Sequence, residues 1–311
     1  MNIERPPTID PRAAERWLGR VAPESPWLHE EVARRMESRL QWIVRSPKRW
    51  MHWEPLSGGL QTHALLSQRY SGAECCVVES SSHKLEAARK KLARRWWEPS
   101  RWSGGALTFQ EPQNHQPPAQ PVEMLWANMA LHHHPDPARL LKQWSDSVAV
   151  DGFLMFSCLG PDTLRELRGV YSAAGWPPPS HEYTDMHDWG DMLVQAGFAE
   201  PVMDMERITL TYSSAQALLD ELRGLGRNLH PQRFAGLRGR GWLNQLRGAL
   251  HKGLASGSDA QNGRLQMTFE IIYGHAFKPA PRLSVQETSV IALQDMRAAL
   301  ARGRNTAGGS G

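Results

Sequence analysis

Short apolar segments alternate with amphipathic segments between residues 50 and 159, and this alternation restricts the fold more than any other feature. Strand-like segments lie at 50–54, 74–79, 106–109, 122–127 and 152–159, and helix-like segments lie at 61–70, 83–95 and 137–149. Strands that alternate with helices along a chain form a parallel sheet with helices on both faces. The sequence therefore predicts an α/β fold.

Further elements are predicted on both sides of this alternation. Residues 11–44 carry apolar side chains at helical spacing, which predicts one helix. Thr163 and Glu166 have the spacing of a capping box, which predicts that a helix begins there. The predicted division of the chain is an N-terminal helical segment or lid (1–46), a core (47–213), a basic helical insertion (214–262), a last strand with a C-terminal helix (263–300) and a disordered tail (301–311).

The basic residues are unevenly distributed along the chain. The formal net charge of +4 is too small to indicate nucleic-acid binding by itself. From Arg223 to Lys252, however, the chain has seven Arg or Lys residues and no Asp or Glu. A solvated basic surface and a binding surface for an acidic macromolecule both fit this pattern.

Composition also bears on the cellular compartment. No run of about 18 apolar residues occurs, so no membrane-spanning helix is predicted. The N-terminus lacks the continuous apolar segment of a secretory signal. Cys75, Cys76 and Cys158 do not form a ligand cluster, and we interpret them as buried thiols. Free thiols are typical of a reducing compartment, so a cytoplasmic protein is predicted.

The segment HWEPLSGGLQTHALLSQRY, residues 52–70, has the outline of a nucleotide-binding loop. An apolar segment ends at Glu54, a Ser-Gly-Gly turn follows, and an amphipathic helical pattern comes next. Glycine in such a loop lets the backbone approach a cofactor, because glycine has no Cβ. Leu56 and Leu60 occupy two positions where the loop would carry glycine. The sequence therefore predicts a cofactor loop of altered composition.

Four longer segments resemble one family of enzymes. They are WANMALHHHPDPARLL (126–141), GFLMFSCLGPDTLRELR (152–168), TDMHDWGDMLVQAGFAEPVMDMERITLTY (184–212) and FEIIYGHAFKP (269–279). Taken together and in chain order, the four segments resemble class I S-adenosylmethionine (SAM) methyltransferases. More narrowly, they resemble the malonyl-[acyl-carrier-protein] O-methyltransferases of biotin synthesis. The resemblance covers residues 28–282, and its most specific part is Gly160–Arg168. It implies a Rossmann-like fold with a mostly parallel seven-stranded sheet, helices on both faces, an N-terminal helical lid and a basic helical insertion.

The resemblance implies that SAM is the cofactor. The family's first loop usually reads Asp-x-Gly-x-Gly-x-Gly, and the matching positions here are Glu54, Leu56, Gly58 and Leu60. If Leu56 needs a positive φ, the strain is about 1–2 kcal/mol. Glu79, at the end of the second strand, is expected to accept hydrogen bonds from the ribose hydroxyls. The cofactor-binding residues implied by the resemblance are Glu54, Ser57, Gly58, Gly59, Glu79, Ser80, Glu111 and Asn128.

The resemblance also implies the acceptor, which is the free carboxylate of malonyl-acyl carrier protein or malonyl-CoA. A carboxylate is ionised at neutral pH and needs no general base, so we assign no catalytic residue. An arginine would orient it through two hydrogen bonds. The expected substrate-binding residues are Arg165, Arg168, His132, His181 and Tyr183, although each also fits a structural or exposed position. The three histidines 132–134 are not expected to hold a metal ion, because adjacent imidazoles converge poorly on a tetrahedral site.

Two classes of function remain open from the sequence. The first is SAM-dependent O-methylation of malonyl-acyl carrier protein, an early step of biotin synthesis, with the acidic carrier protein bound by the basic segment 223–252. The alternative is a methyltransferase-fold protein with lost or altered SAM binding that acts as a binding or assembly module. A methyltransferase for another small carboxylate also remains. Nucleic acid and a membrane are not expected as partners, and a monomer is expected.

Overall fold

Seven strands form one mixed sheet at the centre of the protein. The computed structural model describes residues 9–20, 24–92, 105–112, 120–254 and 264–281, and a compact unit ends at Pro279. The strands are β1 (Arg49–Trp53), β2 (Glu74–Val78), β3 (Leu107–Gln110), β4 (Val122–Ala127), β5 (Val148–Leu159), β6 (Ala199–Tyr212) and β7 (Leu265–Phe277). Their order is β3-β2-β1-β4-β5-β7-β6, and only β7 runs antiparallel to its neighbours. The predicted α/β fold with a mostly parallel seven-stranded sheet is confirmed.

Helices precede, connect and follow the strands. In the described part of the chain they are α1 (Pro11–Leu18), α2 (Trp27–Arg39), α3 (Pro55–Gly58), α4 (Leu60–Arg69), α5 (Ser82–Leu92), α6 (Pro137–Ser147), α7 (Arg165–Ala173), α8 (Met186–Gln195), α9 (Ala215–Leu225) and α10 (Arg240–Leu254). Short 3₁₀ turns lie at Leu40–Trp42 and Leu131–His133. None of these helices combines the length and the apolar character needed to cross a membrane.

Both faces of the sheet are buried, because successive side chains of a strand point to opposite faces. In β1, Trp50 packs in one core together with Val32 and Met36 of α2. The next residue, Met51, packs in a second core together with Trp144 of α6. The sheet therefore lies between two helical layers, as the alternation predicts.

The N-terminal segment differs from its prediction. Residues 11–44 do not form one helix, because α1 ends at Leu18 and α2 begins at Trp27. Pro26 directly precedes α2 and disfavours helical backbone at the residue before it, which explains the second boundary. The predicted C-terminal helix after residue 281 and the predicted tail lie outside the described residues. The domain boundaries stay a prediction.

Helix α7 begins two residues later than predicted and without the predicted capping box. Leu164 precedes it with left-handed backbone (φ 58°, ψ 26°), and no side chain caps the helix. Thr163 Oγ1 instead accepts a hydrogen bond from the Glu270 N–H at 3.1 Å, and the Glu166 carboxylate accepts one from the Thr268 N–H at 3.0 Å. Buried backbone donors need acceptors, and these two side chains satisfy donors of β7. They therefore join the start of α7 to the sheet.

The basic insertion packs against the sheet. Leu218 of α9 and Leu246 and Leu250 of α10 are buried in the same core as Ile271 of β7. Helix α10 also lies against α7. These three leucines of the insertion therefore belong to the main core, whereas Phe234 and Leu237 are exposed.

Candidate active site

The carboxyl ends of the parallel strands bring the first group of candidate residues together. Glu54 follows β1, Glu79 follows β2 and Asn128 follows β4, and all three are buried. Ligands of open α/β sheets bind at this edge. Glu54 (φ 48°) and Met129 (φ 54°) have left-handed backbone. Such strain costs about 1–2 kcal/mol at each residue and is concentrated at functional sites.

Leu56 fits the altered loop without backbone strain. It lies within the helical turn α3 and is not among the described residues with positive φ. Its side chain is buried in the core that includes α2, and its N–H donates to Glu79 Oε1 at 2.9 Å. Leu60, the first residue of α4, packs against the same core. The two leucines therefore fill the core below the loop, and neither position requires glycine.

The glycines that the loop requires are Gly58 and Gly59. A Cβ on Gly58 would lie 2.7 Å from the backbone oxygen of Asn128, and Gly59 has a φ of 135°. The Asn128 side-chain amide donates to the Gly58 carbonyl and, at 2.9 Å, to the His29 carbonyl. The loop is therefore in direct contact with the end of β4, and a side chain at residue 58 would separate them.

We expect Gly58→Ala to lower the free energy of unfolding by about 1–3 kcal/mol, because the added Cβ must displace the loop from Asn128. Gly169→Ala is the matched control. Gly169 lies in α7 with no atom within 4 Å of an added Cβ. Alanine there should stabilise the helix by up to about 1 kcal/mol. Urea unfolding measures both changes, and equal stability of the two variants would show that residue 58 has room for a side chain.

Helix α2 and the residues before it hold the loop from outside. Ser25 Oγ donates to the Leu56 carbonyl at 3.1 Å and accepts from the Leu60 N–H at 3.2 Å. His29 Nδ1 donates to the Ser57 carbonyl at 2.7 Å. Burial lowers the pKa of His29 to about 4, so the ring is neutral at pH 7. The N-terminal segment therefore covers the loop through hydrogen bonds between neutral groups.

Helix α1 bridges the insertion and the same edge of the sheet. At its start, the Asp10 N–H donates to the Leu229 carbonyl at 2.8 Å, and the Asp10 carboxylate forms a 2.7 Å ion pair with Arg233. At its end, the Leu18 carbonyl accepts from Ser80 Oγ at 3.3 Å. Helix α1 is therefore attached at both ends, to the insertion and to the loop after β2.

A buried lysine lies between the two strand-end acids. Lys84 Nζ is 3.8 Å from Glu54 Oε1 and 3.7 Å from Glu79 Oε2, and it donates to Ser80 Oγ at 3.2 Å. Burial, followed by the charge of Glu54, raises the pKa of Glu79 to about 7, while Lys84 acts in the opposite direction. Two buried acids therefore share one buried cation at the position of the expected cofactor.

The residues at this edge fit SAM in their chemistry. Glu79 Oε2 is buried and has no hydrogen-bond partner, so it provides an acceptor for a ribose hydroxyl. Glu54, Ser57 and Lys84 line a first cavity of about 150 Å³ together with Trp17 and Arg20, and Glu79, which does not line it, lies 3.7 Å from Lys84, which does. Small-molecule sites usually measure about 300–1,000 Å³. The first cavity therefore has room for part of SAM while Lys84 stays in place.

A second cavity of about 220 Å³ adjoins the first one. It lies between the sheet edge and the insertion, and its lining is mainly apolar: Leu159, Leu164, Leu167, Tyr171, Tyr183, Leu219, Leu222 and Phe269, with Arg223, Arg227 and Asn228. His133 and Arg223 line both cavities. These two residues therefore separate a partly charged cavity from an apolar one.

Neutral histidines form the wall around His133. The ring centroids are 4.0 Å apart for His132 and His133, 5.9 Å for His133 and His181, and 4.6 Å for His181 and Tyr183. His181 Nε2 donates to the His132 carbonyl at 3.1 Å. Burial lowers the pKa of His181 to about 4 and lowers the pKa values of His132 and His133 well below the usual range. The wall therefore carries no charge at pH 7.

Most of the predicted cofactor residues lie at the same edge of the sheet, and Glu54 and Ser57 among them line the first cavity. Those at this edge are Glu54, Ser57, Gly58, Gly59, Glu79, Ser80 and Asn128. Their binding of SAM stays a prediction. Glu111 was expected among them, but it is exposed after β3 and lines neither cavity. It directly follows β3, which ends at Gln110, and its part in cofactor binding also stays a prediction.

The predicted acceptor residues divide into two groups. Tyr183 lines the second cavity, and His132 and His181 pack in the wall beside it. Arg165 and Arg168 line neither cavity, and their part in binding the acceptor stays a prediction.

The residues at the start of α7 supply the partners of both arginines. Arg165 is about half exposed and pairs with Asp162 at 3.7 Å and Glu166 at 3.3 Å. Arg168 Nη2 donates to the Pro161 carbonyl at 2.5 Å. Both arginines therefore bind groups of their own loop and helix.

Three residues of the site were missed in the sequence: Lys84, His133 and Arg223. Lys84 lies in the first turn of α5, five residues after Glu79, and that spacing could have identified it. The sequence identifies Arg223 only as the first residue of the basic segment 223–252. Its position between the cavities depends on how α9 packs, which the sequence pattern does not specify.

Known proteins resemble the chain over most of its length. No family model matches it. The chain is 34% identical over 290 residues to the malonyl-[acyl-carrier protein] O-methyltransferase of Gallionella capsiferriformans, a match that covers 91% of this chain and 96% of that protein. It is 35% identical over 257 residues to the protein of the same name from Laribacter hongkongensis, covering 82% and 84% of the two chains.

A solved structure with the same fold is that of BH2331 from Bacillus halodurans, which is assigned as a methyltransferase. The TM-score is 0.50 and the identity is 12%, over 80% of this chain and 100% of that chain. At this identity the likeness shows the fold alone. The identity and coverage of the curated relatives show more: the chain belongs to the malonyl-[acyl-carrier protein] O-methyltransferase family.

Proposed function

We propose that the protein transfers a methyl group from SAM to the free carboxylate of malonyl-acyl carrier protein. The observation that supports this most strongly is the pair of adjacent cavities with His133 and Arg223 between them. In-line transfer needs the attacking carboxylate oxygen and the leaving sulfur on opposite sides of the methyl carbon, so the donor and the acceptor must occupy adjacent cavities. Bound SAM would supply a sulfonium methyl group as the electrophile. The named relatives are malonyl-[acyl-carrier protein] O-methyltransferases.

On the donor side, residues in and next to the first cavity would bind and orient SAM. Glu79 would accept a ribose hydroxyl through Oε2, and Glu54 would accept the ammonium group of the methionine part. Gly58 and Gly59 keep the loop backbone close to the end of β4. The hydrogen bonds from Ser25 and His29 hold that backbone in place.

On the acceptor side, the protein has only to orient the nucleophile and exclude water. The malonyl carboxylate is ionised at neutral pH, so no proton must be removed. The Arg223 guanidinium is the charged group between the cavities that would orient it. The neutral wall around His133 and the apolar lining of the second cavity exclude water, which strengthens the attraction between a carboxylate and a cationic methyl donor.

The exposed face of the insertion supports the carrier protein, rather than CoA alone, as the carrier of the malonyl group. Arg240 and Lys252 of α10 are exposed, and Arg238 lies over the rings of Phe234 and Trp242. An acidic carrier protein would be attracted to this basic face. Other arginines of the segment have partners within the chain. Arg233 pairs with Asp10, and Arg247 donates to Gln216.

We expect the double variant Arg240→Glu and Lys252→Glu to raise KM for malonyl-acyl carrier protein about tenfold at low salt, because charge reversal repels an acidic partner. KM for malonyl-CoA should change less than threefold, on the order of 0.6 kcal/mol. Lys142→Glu, on α6 at the opposite face of the sheet, is the matched control with a 60% exposed side chain. An unchanged KM for the carrier protein would remove this face of α10 from the interface.

The function itself is tested with SAM labelled in its methyl group. The protein is incubated with malonyl-, succinyl- and acetyl-acyl carrier protein, and base-labile label on each carrier is measured. We expect label on the malonyl form, less on the succinyl form, and none on the acetyl form, which has no free carboxylate. Label on the acetyl form, or no label on any carrier when binding of S-adenosylhomocysteine is detected by calorimetry, would overturn the proposed acceptor.

The alternative of a binding or assembly module loses its main support. That hypothesis rested on Leu56 and Leu60, and neither residue has strained backbone. No observation in the described part of the chain favours it over methyl transfer. The cytoplasmic location and the monomeric state stay predictions.

A further inference from the structure

Lys84 is a buried charged group to which methyl transfer assigns no task. It is the third residue of α5, its side chain is 3% exposed, and it lines the first cavity. Burying an ammonium group is costly unless acids or hydrogen-bond acceptors surround it. Glu54, Glu79 and Ser80 supply those groups. The Lys84 ammonium group therefore stays buried only while some of these partners remain in contact with it.

The contact between Lys84 and Glu79 is close enough for an ion pair but too long for a hydrogen bond. Nζ and Oε2 are 3.7 Å apart, and Oε2 has no hydrogen-bond partner. The other oxygen, Oε1, accepts from the Leu56 N–H at 2.9 Å. The loop therefore binds one oxygen of the Glu79 carboxylate, and the other oxygen can still accept a hydrogen bond from a donor closer than Lys84. A hydroxyl at about 2.7 Å from Oε2 would be such a donor.

We infer that the Lys84 ammonium occupies the hydroxyl-binding position of the cofactor site and is displaced from Glu79 when the nucleoside part of the cofactor binds. This inference rests on the proposed function in taking SAM as the donor. A ligand hydroxyl replaces the long ion pair with a hydrogen bond, and Lys84 keeps Glu54 and Ser80 as partners. The lysine therefore stabilises the ligand-free site and competes with the ligand for Glu79.

The charge of Lys84 also affects which form of the cofactor binds better. SAM carries a sulfonium charge that S-adenosylhomocysteine lacks. A nearby ammonium group repels the sulfonium in a site of low dielectric constant. Lys84 therefore favours the neutral product over the cationic donor, and removing its charge should help SAM more than S-adenosylhomocysteine.

The test is calorimetric titration of the full-length protein and its Lys84→Ala variant with both ligands. We expect Lys84→Ala to bind S-adenosylhomocysteine about tenfold more tightly, a change of about 1.4 kcal/mol, because no ammonium must leave Glu79. The gain for SAM should be larger. Lys90→Ala is the matched control on the same helix, with a 74% exposed side chain, and should bind both ligands as the unaltered protein does.

A weaker or unchanged affinity of Lys84→Ala for S-adenosylhomocysteine would overturn the inference, since it would mean that Lys84 supports the ligand or does not compete with it. A crystal structure of the unaltered protein with this ligand gives a second, independent measurement. A ribose hydroxyl within hydrogen-bond distance of Glu79, with Lys84 moved away, would support displacement. Lys84 still at Glu79 would contradict it. These binding results do not depend on the acceptor, so they can fail while malonyl methylation succeeds, and the reverse also holds.

Discussion

Arg223→Gln is expected to lower kcat/KM for malonyl-acyl carrier protein by about 30- to 100-fold, which corresponds to about 2–3 kcal/mol. Arg223 lines both cavities, which places a charged side chain where donor and acceptor would meet. Glutamine keeps the length and part of the hydrogen bonding but loses the charge. Arg223→Lys should give an intermediate loss, because lysine keeps the charge but cannot bind a carboxylate through two parallel hydrogen bonds.

Asp220→Asn is the matched control for Arg223. Arg223 Nη1 is 2.5 Å from Asp220 Oδ1, and both side chains are more than half exposed. Removing the acid leaves the guanidinium free for the substrate, so kcat/KM should stay the same or rise a few-fold. Steady-state kinetics of the three variants with saturating SAM measures these effects. If Arg223→Gln and Asp220→Asn lose activity equally, the effect comes from the packing of α9, and the assignment of Arg223 to the carboxylate fails.

The second large effect is expected in the stability of the protein at mildly acidic pH. Burial lowers the pKa values of His29 and His181 to about 4, whereas an unfolded histidine has a pKa of about 6.5. Between these values the unfolded chain binds the protons, so acidification favours unfolding. Each histidine contributes its full stability above about pH 6.5 and loses about 1.4 kcal/mol per pH unit below it. The pKa values of His52, His132 and His133 are lowered in the same direction.

Glu79 has the opposite effect on the pH dependence. Its folded pKa is raised to about 7, so its contribution to stability is complete below about pH 4.5, its unfolded pKa, and is lost as the pH rises through 7. One such carboxyl group cannot offset several buried histidines. The free energy of unfolding should therefore fall by several kcal/mol from pH 7 to pH 5, at about 1.4 kcal/mol per histidine per unit.

Urea unfolding at a series of pH values measures this slope. His251→Asn, at an exposed position of α10, is the control and should leave the slope unchanged. Replacing the fully buried His52 with leucine should reduce the slope. A free energy of unfolding that stays constant from pH 7 to pH 5 would contradict the burial of the neutral histidines.

The fold was predictable because its main determinants are local. Val122–Ala127 is a strand at the predicted residues, and Leu265–Phe277 lies within the segment 263–300 predicted to contain the last strand, since apolar and β-branched side chains follow one another in both. The errors arose where long-range contacts compete with local ones. Thr163 and Glu166 have the spacing of a capping box but bind the backbone of β7 instead. Which backbone groups these two side chains bind depends on a strand about a hundred residues away, and the local sequence pattern does not show it.

The site was predictable only in part, for a related reason. The strand-end residues Glu54, Glu79 and Asn128 follow from the alternation, because parallel strands end at one edge of the sheet. Leu56 suggested backbone strain, but the strain lies at Glu54, which has a φ of 48°. The contribution of Arg223 depends on the packing of the insertion. Side chains supplied by the sheet edge can thus be identified from sequence, and those supplied by insertions cannot.

Under the proposed function, the two attachments of α1 would make the binding of the cofactor and of the carrier protein interdependent. A carboxylate of the carrier protein that pairs with Arg233 must compete with Asp10, the first attachment of α1. A ligand that displaces Lys84 from Glu79 would move a side chain that stays hydrogen-bonded to Ser80, and Ser80 holds the last residue of α1. By thermodynamic reciprocity, the factor by which the carrier alters cofactor affinity equals the factor by which the cofactor alters carrier affinity. We therefore expect a change in sequence that adjusts one of these affinities through α1 to adjust the other as well.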